Sequence, residues 1–273
     1  MQLKSIIAAL PLWGTQLMVA IFFIAGFVNT YMEMWARAFR EPQRSAHNRL
    51  LHRVLLLVTS IGIGGLLNGM GYFSNQSAML YHNMGIFILV LALLDEDTNL
   101  LEYLLRCVAL VVVWLLYFIN DFTNLSFVIS LTVLVVTLIN IRIFRTQIGP
   151  HFPQRLIVAV IIAADFWLNL PTHTGGMKTS PEVALGAIIM FFVMKLSTGR
   201  QQRRFFANLA TAHQANFDEL TNTKNFTAYQ KDIFTFFGST RIRQQPLSMA
   251  VVALLIILKS LTTNLVIWPA IRS

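Results

Sequence analysis

The chain has 273 residues, of which 56% are hydrophobic and 12% charged, with a formal net charge of +9. A soluble domain carries about a quarter charged residues and under half apolar ones. Here the charges are bunched between apolar runs of about 20 residues, which excludes a soluble globular enzyme, a disordered chain and a coiled coil. The pattern predicts an all-α polytopic membrane protein of about seven transmembrane helices, with a short cytoplasmic C-terminal segment. Lys and Arg fall in clusters between the apolar runs, as in cytoplasmic loops, so the expected partner is the lipid bilayer and not nucleic acid. The single cysteine, Cys107, allows neither an intrachain disulfide nor a cysteine metal site.

Lys4 precedes an apolar stretch reaching Val28, too long for a signal-peptide core and without a small-residue cleavage site, so it reads as a first membrane helix. The predicted spans are 10–31, 54–73, 79–94, 103–119, 125–141, 156–170 and 183–198, which make residues 1–198 a membrane input region. The loop after the first span holds Arg37, Arg40, Arg44, Arg49 and Arg53. The loop after the fifth holds Arg142, Arg145 and Arg155, and Arg200, Arg203 and Arg204 follow the seventh, with Lys195 at its end. The opposite connections, 74–78, 120–124 and 171–182, together carry only Lys178 among basic residues. The N-terminus is therefore expected outside the cell membrane and the C-terminus in the cytoplasm. The acidic loop Asp95-Glu96-Asp97 is the one anomaly on the cytoplasmic side, and acidic residues weigh little in this rule.

Four features within the spans invite a functional reading. Asp95-x-Asp97-x-Asn99 opens like a calcium loop, but Leu100 stands where the turn needs glycine and Arg106 where a bidentate glutamate is required, so the motif is rejected. Gly65-Leu-Leu-Asn-Gly69 has the spacing of close helix packing, expected inside the bundle. Asp165 lies about ten residues into the sixth span, ~15 Å from its cytoplasmic end. An ionisable residue at that depth marks a sensing or transport site, or else a carboxyl bonded to polar partners such as Asn68 or Asn140. His82 and His173 fall near the outer face, where a lone histidine is solvated or interfacial.

Beyond Arg204, residues 199–217 place Phe205, Leu209, Ala212 and Phe217 at helical spacing. That suits a linker helix leaving the membrane, either solvated or pairing with a second copy in a homodimer. Asp218-Glu-Leu220-Thr221-Asn-Thr-Lys-Asn225 follows, then a second helix that gives way at Gly238, a basic loop and an apolar strand over 246–254. This order resembles the opening of the GGDEF domain of bacterial diguanylate cyclases. The match is carried by Asp218, Leu220, Thr221 and Asn225, with Tyr229 near the family's aromatic position. It departs at Thr223, where the family has Leu, and at Phe226, where it has Arg.

The resemblance implies a short α/β fragment over 218–254 and a role in cyclic di-GMP signalling. It also implies that intact relatives bind Mg²⁺ and GTP through carboxylates at the end of the first strand and in the Gly-Gly-Asp/Glu-Glu-Phe loop. No Asp stands at Leu254 or Leu255, and no such loop motif occurs, so this chain is expected to hold no cofactor and to have no catalytic, nucleotide or metal residues. The matched residues are structural. A small transporter or channel with Asp165 in its pathway is the alternative function, and an eighth span over 246–270 is opposed by Lys259 and the polar residues 262–264.

The tail 255–273 fits neither the family nor a membrane span, and a frameshift near codon 254 is the expected origin, resting on what particular synonymous codons would permit. In the phase starting at each codon's third base, synonymous codons for Leu255 through Leu258 give Asp-His-Phe. Those for Leu261 through Ile271 give Asn-Asp-Lys-Phe-Gly-His-Leu-Ala-Gly-Asp, the family's continuation, with Ala forced by Trp268-Pro269.

Overall fold

The structure is a computed structural model, described over residues 2–40, 45–95, 97–119, 122–174, 177–216 and 229–235. In chain order it comprises α1 (Gln2–Phe39), α2 (Ala46–Phe73), α3 (Ala78–Leu93), α4 (Leu100–Tyr117), α5 (Leu125–Ile143) and α6 (Arg145–Ile148). Then come α7 (Phe152–Leu168), the strands β1 (His173–Thr174) and β2 (Met177–Lys178), and α8 (Pro181–Asn216). Five helices are long and apolar enough to cross a membrane: α1, α2, α4, α5 and α8. α3 is a shorter apolar helix of 16 residues and α7 has 17. All seven predicted spans thus fall on helices. The departure from an all-helical chain is the β1–β2 pair, antiparallel with His173 opposite Lys178.

α3 is the axis of the membrane bundle. Every residue but Tyr81 is buried, as expected of a helix apolar on all sides. α1, α2, α4 and α7 pack around it. Its tightest approach is to α2, where a side chain on Gly64 would meet Leu89, and one on Gly85 would meet the Gly64 carbonyl oxygen at 2.7 Å. The expected packing motif lies one residue off this contact. Gly65 and Gly69 have open space beside them, because the 3.6-residue helical period turns their face away from α3. The outer faces carry large apolar side chains such as Phe22, Val58, Leu101, Val108, Leu125 and Val128. Soluble monomers rarely expose an apolar surface so continuous.

Cross-helix contacts gather the basic residues at one end. Arg53 at the start of α2 pairs with Glu102 at the start of α4 (2.9 Å) and lies over Phe39 at the end of α1. Arg145 donates to the Thr98 carbonyl, Arg142 covers Tyr103, and Arg203 covers Phe152 at the start of α7. At the other end Gln16 donates to the Gln76 carbonyl, and Trp13 packs on Gly186. α8 runs unbroken for 36 residues, so the seventh predicted span and the linker expected after 198 are one helix.

Two compact units divide at Ala207 and Asn208. In the second, residues 229–235 are helical. Asp218, Leu220, Thr221 and Asn225, the strand expected over 246–254 and the tail 255–273 lie outside the described residues.

Candidate functional site

The acidic loop that stood out in the sequence is a structural joint at the basic end. Asn99 caps α4 by accepting from the Glu102 amide, and the Glu102 carboxylate accepts from the Asn99 amide, closing a reciprocal capping box. Asp95, just past α3, is held by three side chains from two helices, α1 and α4. The Tyr31 hydroxyl donates to its Oδ2 and the Trp35 indole Nε1 to its Oδ1, both at 3.1 Å. Arg106 on α4 faces Oδ2 at 3.9 Å and donates to the Ala92 carbonyl. Burial pushes the Asp95 carboxyl above its ordinary value of 3.8, and the Arg106 guanidinium opposes that rise. Asp95 thus faces Arg106, and Glu102 at the start of α4 faces Arg53.

Beside Asp95 lies a cavity of about 40 Å³, walled by α1, α3, α7 and α8. Its lining includes Tyr31, Trp35, Arg155, Lys195 and Gln202. Trp35 meets Phe206, another wall residue, edge to face at 5.4 Å. Lys195 is 3% exposed and Gln202 8%, and among the described residues neither makes a hydrogen bond. The charge neighbouring Lys195 is a like one, Arg155. Lys195 was expected at the end of the seventh span, just before the basic cluster Arg200, Arg203 and Arg204. It is instead a buried cation 14 positions into α8, about 21 Å along it. Sequence offered one signal for this site, a lysine inside an apolar run.

A second buried polar cluster sits toward the opposite end. The Tyr117 hydroxyl donates to Asn68 Oδ1 at 2.6 Å and lies 2.8 Å from His82 Nδ1. Asn68 in turn donates to the Gly64 carbonyl. The Tyr117 hydroxyl, Asn68 Oδ1 and His82 Nδ1 thus form one hydrogen-bonded cluster. Tyr72 stands edge-on to the His82 ring at 5.2 Å. His82, expected at a solvated interface, is fully buried because Gly71 leaves room for its ring against α2. His173 begins β1 and is exposed, as expected.

Asp165 lies farther along its helix and nearer its C-terminal end than the sequence suggested, because α7 begins at Phe152 and not near 156. It is 13 residues along the helix, about 20 Å, and three from its end at Leu168. Its Oδ1 accepts from Asn169, the residue that caps α7 (3.1 Å). The polar partners expected for it lie elsewhere. Asn68 belongs to the Tyr117 cluster, and Asn140 is exposed and bonded to its own helix at Val136. Nearby, Asn83 joins α7 to α8, accepting from Trp167 and donating to the Ala187 carbonyl.

Among the described residues no group of three or more His, Cys, Asp or Glu is placed to hold a metal ion. No known protein family, curated protein or solved structure matches the chain.

Proposed function

We propose that the chain is the membrane-embedded input region of a cyclic-di-GMP signalling protein resembling the diguanylate cyclases, without that family's catalytic residues. Seven helices cross the bilayer in this reading, α3 and α7 completing the five long ones. The basic end faces the cytoplasm and the N-terminus the outside, because Arg and Lys are retained on the cytoplasmic side.

The observation that supports the reading is the continuity of α8. One helix carries Lys195 and Gln202 into the buried cavity and extends to Asn216, two residues before the Asp218 motif. A change at the cavity thus bears on the helix that leads to the output segment, which is the coupling an input region requires. The transporter alternative rests on Asp165, a carboxylate bonded to its own helix cap near the helix end.

A chimera tests the proposal. Residues 1–217 are joined to an intact diguanylate cyclase domain that begins at its own Asp-x-Leu-Thr, in a host devoid of other cyclases. Lys195→Met or Asp95→Asn is expected to change cyclic di-GMP several-fold at equal chimera abundance, while Lys178→Met on β2 changes nothing. Output indifferent to both cavity variants overturns the reading. The gene sequence is a second test. The shifted phase is expected to stay open beyond codon 273 and to encode a Gly-Gly-Asp/Glu-Glu-Phe motif, and a stop codon soon after 273 would sink the frameshift.

A further inference from the structure

We infer that the cavity beside Asp95 is a binding site for one phosphate group, held chiefly by the Lys195 ammonium with the Gln202 amide and Arg155 beside it. The first support is cost. A lysine that is 97% buried must either find an anion or give up its charge, since an uncompensated buried cation is strongly unfavourable. Its neighbour Arg155 adds a like charge, which an anion between them would convert from repulsion into shared attraction. Asp95, the acid in the same wall, is not free to serve Lys195. Its two oxygens already receive the Tyr31 hydroxyl and the Trp35 indole, and Arg106 faces Oδ2.

The second support is the donor set. Lys195 and Gln202 stand two helical turns apart on α8, both buried, both lining the cavity and both without a hydrogen bond among the described residues. Two largely buried side chains whose donor groups have no protein acceptor among the described residues and line one cavity leave room for a ligand's oxygens. An ammonium offers three donors as a point charge, a mode suited to phosphate oxygens.

Size and position set the ligand class. A cavity of about 40 Å³ has room for about three waters, the scale of one tetrahedral oxyanion, and excludes a nucleotide. It opens at the basic end of the bundle, where basic pockets between membrane helices receive lipid headgroups. The phosphate therefore comes either from solution or from an anionic phospholipid. The inference concerns binding alone and stands apart from the signalling proposal, since it is tested with no cyclase present.

The test uses the full chain purified in a neutral detergent. One arm titrates inorganic phosphate and reads binding by calorimetry. The other exchanges the protein into nanodiscs of phosphatidylcholine with or without phosphatidylglycerol and reads bound lipid by native mass spectrometry. Binding is expected in at least one arm, weakened about tenfold or more by Lys195→Met and restored by Lys195→Arg. Binding in the first arm assigns the soluble anion, and binding in the second alone assigns the lipid headgroup. Gln202→Met, which leaves both cations in place, is expected to weaken binding several-fold and serves if Lys195→Met does not fold. Absence of binding in both arms, or binding that ignores both variants, overturns the inference.

Discussion

The Tyr31 hydroxyl donates to Asp95 Oδ2 at 3.1 Å across 64 residues of chain, fixing the C-terminal half of α1 to the end of α3. Hydrogen bonds to charged groups contribute about 1.5–3 kcal/mol, and this one joins a buried tyrosine to a part-buried carboxyl. Tyr31→Phe keeps the ring and removes only the donor. It is expected to lower stability by about 1.5–3 kcal/mol, read by reversible unfolding in mixed micelles. A change below 0.5 kcal/mol would show that the contact is not made.

Arg106 is the counter-ion of the same carboxylate, and its removal strands a buried charge. Arg106→Met is expected to cost about 3–5 kcal/mol at neutral pH, and a second change, Asp95→Asn, to recover most of it. Equal losses in the single and double variants would mean that the two groups do not interact.

The pH dependence has a definite sign. The Asp95 carboxyl is raised by burial, so its contribution to stability is present below the ordinary value of 3.8 and is lost as pH rises through the folded value. Since Arg106 opposes the rise, Arg106→Met should extend that loss to higher pH, and Asp95→Asn should abolish it. Melting temperatures measured from pH 4 to 8 on the three proteins decide this, and parallel curves would refute it.

The helices were legible because a membrane span needs about 20 apolar residues whatever it packs against. Their ends were not: α1 and α8 run past their predicted limits, since a helix continues into polar flanks without breaking its backbone bonds. The polar residues were harder still. Tyr31 finds its partner 64 residues away and Asn83 donates to a carbonyl 104 residues away, pairings that periodicity along a single helix does not encode. Hence Asp95 read as an anomaly and Lys195 as an ordinary flanking charge. Asp165, the lone intramembrane acid by sequence, drew the attention instead, although its own cap residue binds it.

Gly71 is predicted to be intolerant of any side chain. A β-carbon there would overlap the His82 ring, which is fully buried and has no room to retreat. Gly71→Ala should therefore separate α2 from α3 and cost several kcal/mol, in the range of overpacked cores. Adding His82→Ala removes the clash and should recover part of the loss, although the Tyr117 hydroxyl gives up its contact with His82 and keeps only Asn68. Gly65→Ala, six residues away with open space beside it, should be close to neutral. If Gly71→Ala and Gly65→Ala unfold alike in the same micelles, the α2–α3 contact is misplaced.

Orientation gives the last prediction. Lys178 on β2 and Arg203 on α8 lie at opposite ends of the bundle: β2 leads into the start of α8, while Arg203 covers Phe152 at the basic end. The proposed orientation, with the basic end in the cytoplasm, is what cysteine labelling tests. With Cys107→Ser as background, Lys178→Cys should react with an impermeant maleimide on intact cells, whereas Arg203→Cys should react only after permeabilisation. Gly149→Cys, after α6 in the basic connection, should behave like Arg203→Cys. The outward answer at Lys178 and the inward one at Arg203 are linked, because α8 runs from just after β2 to beyond Arg203 without a break. Labelling of Lys178→Cys only after permeabilisation would invert the bundle, and labelling of both ends on intact cells would mean that α8 does not span the membrane.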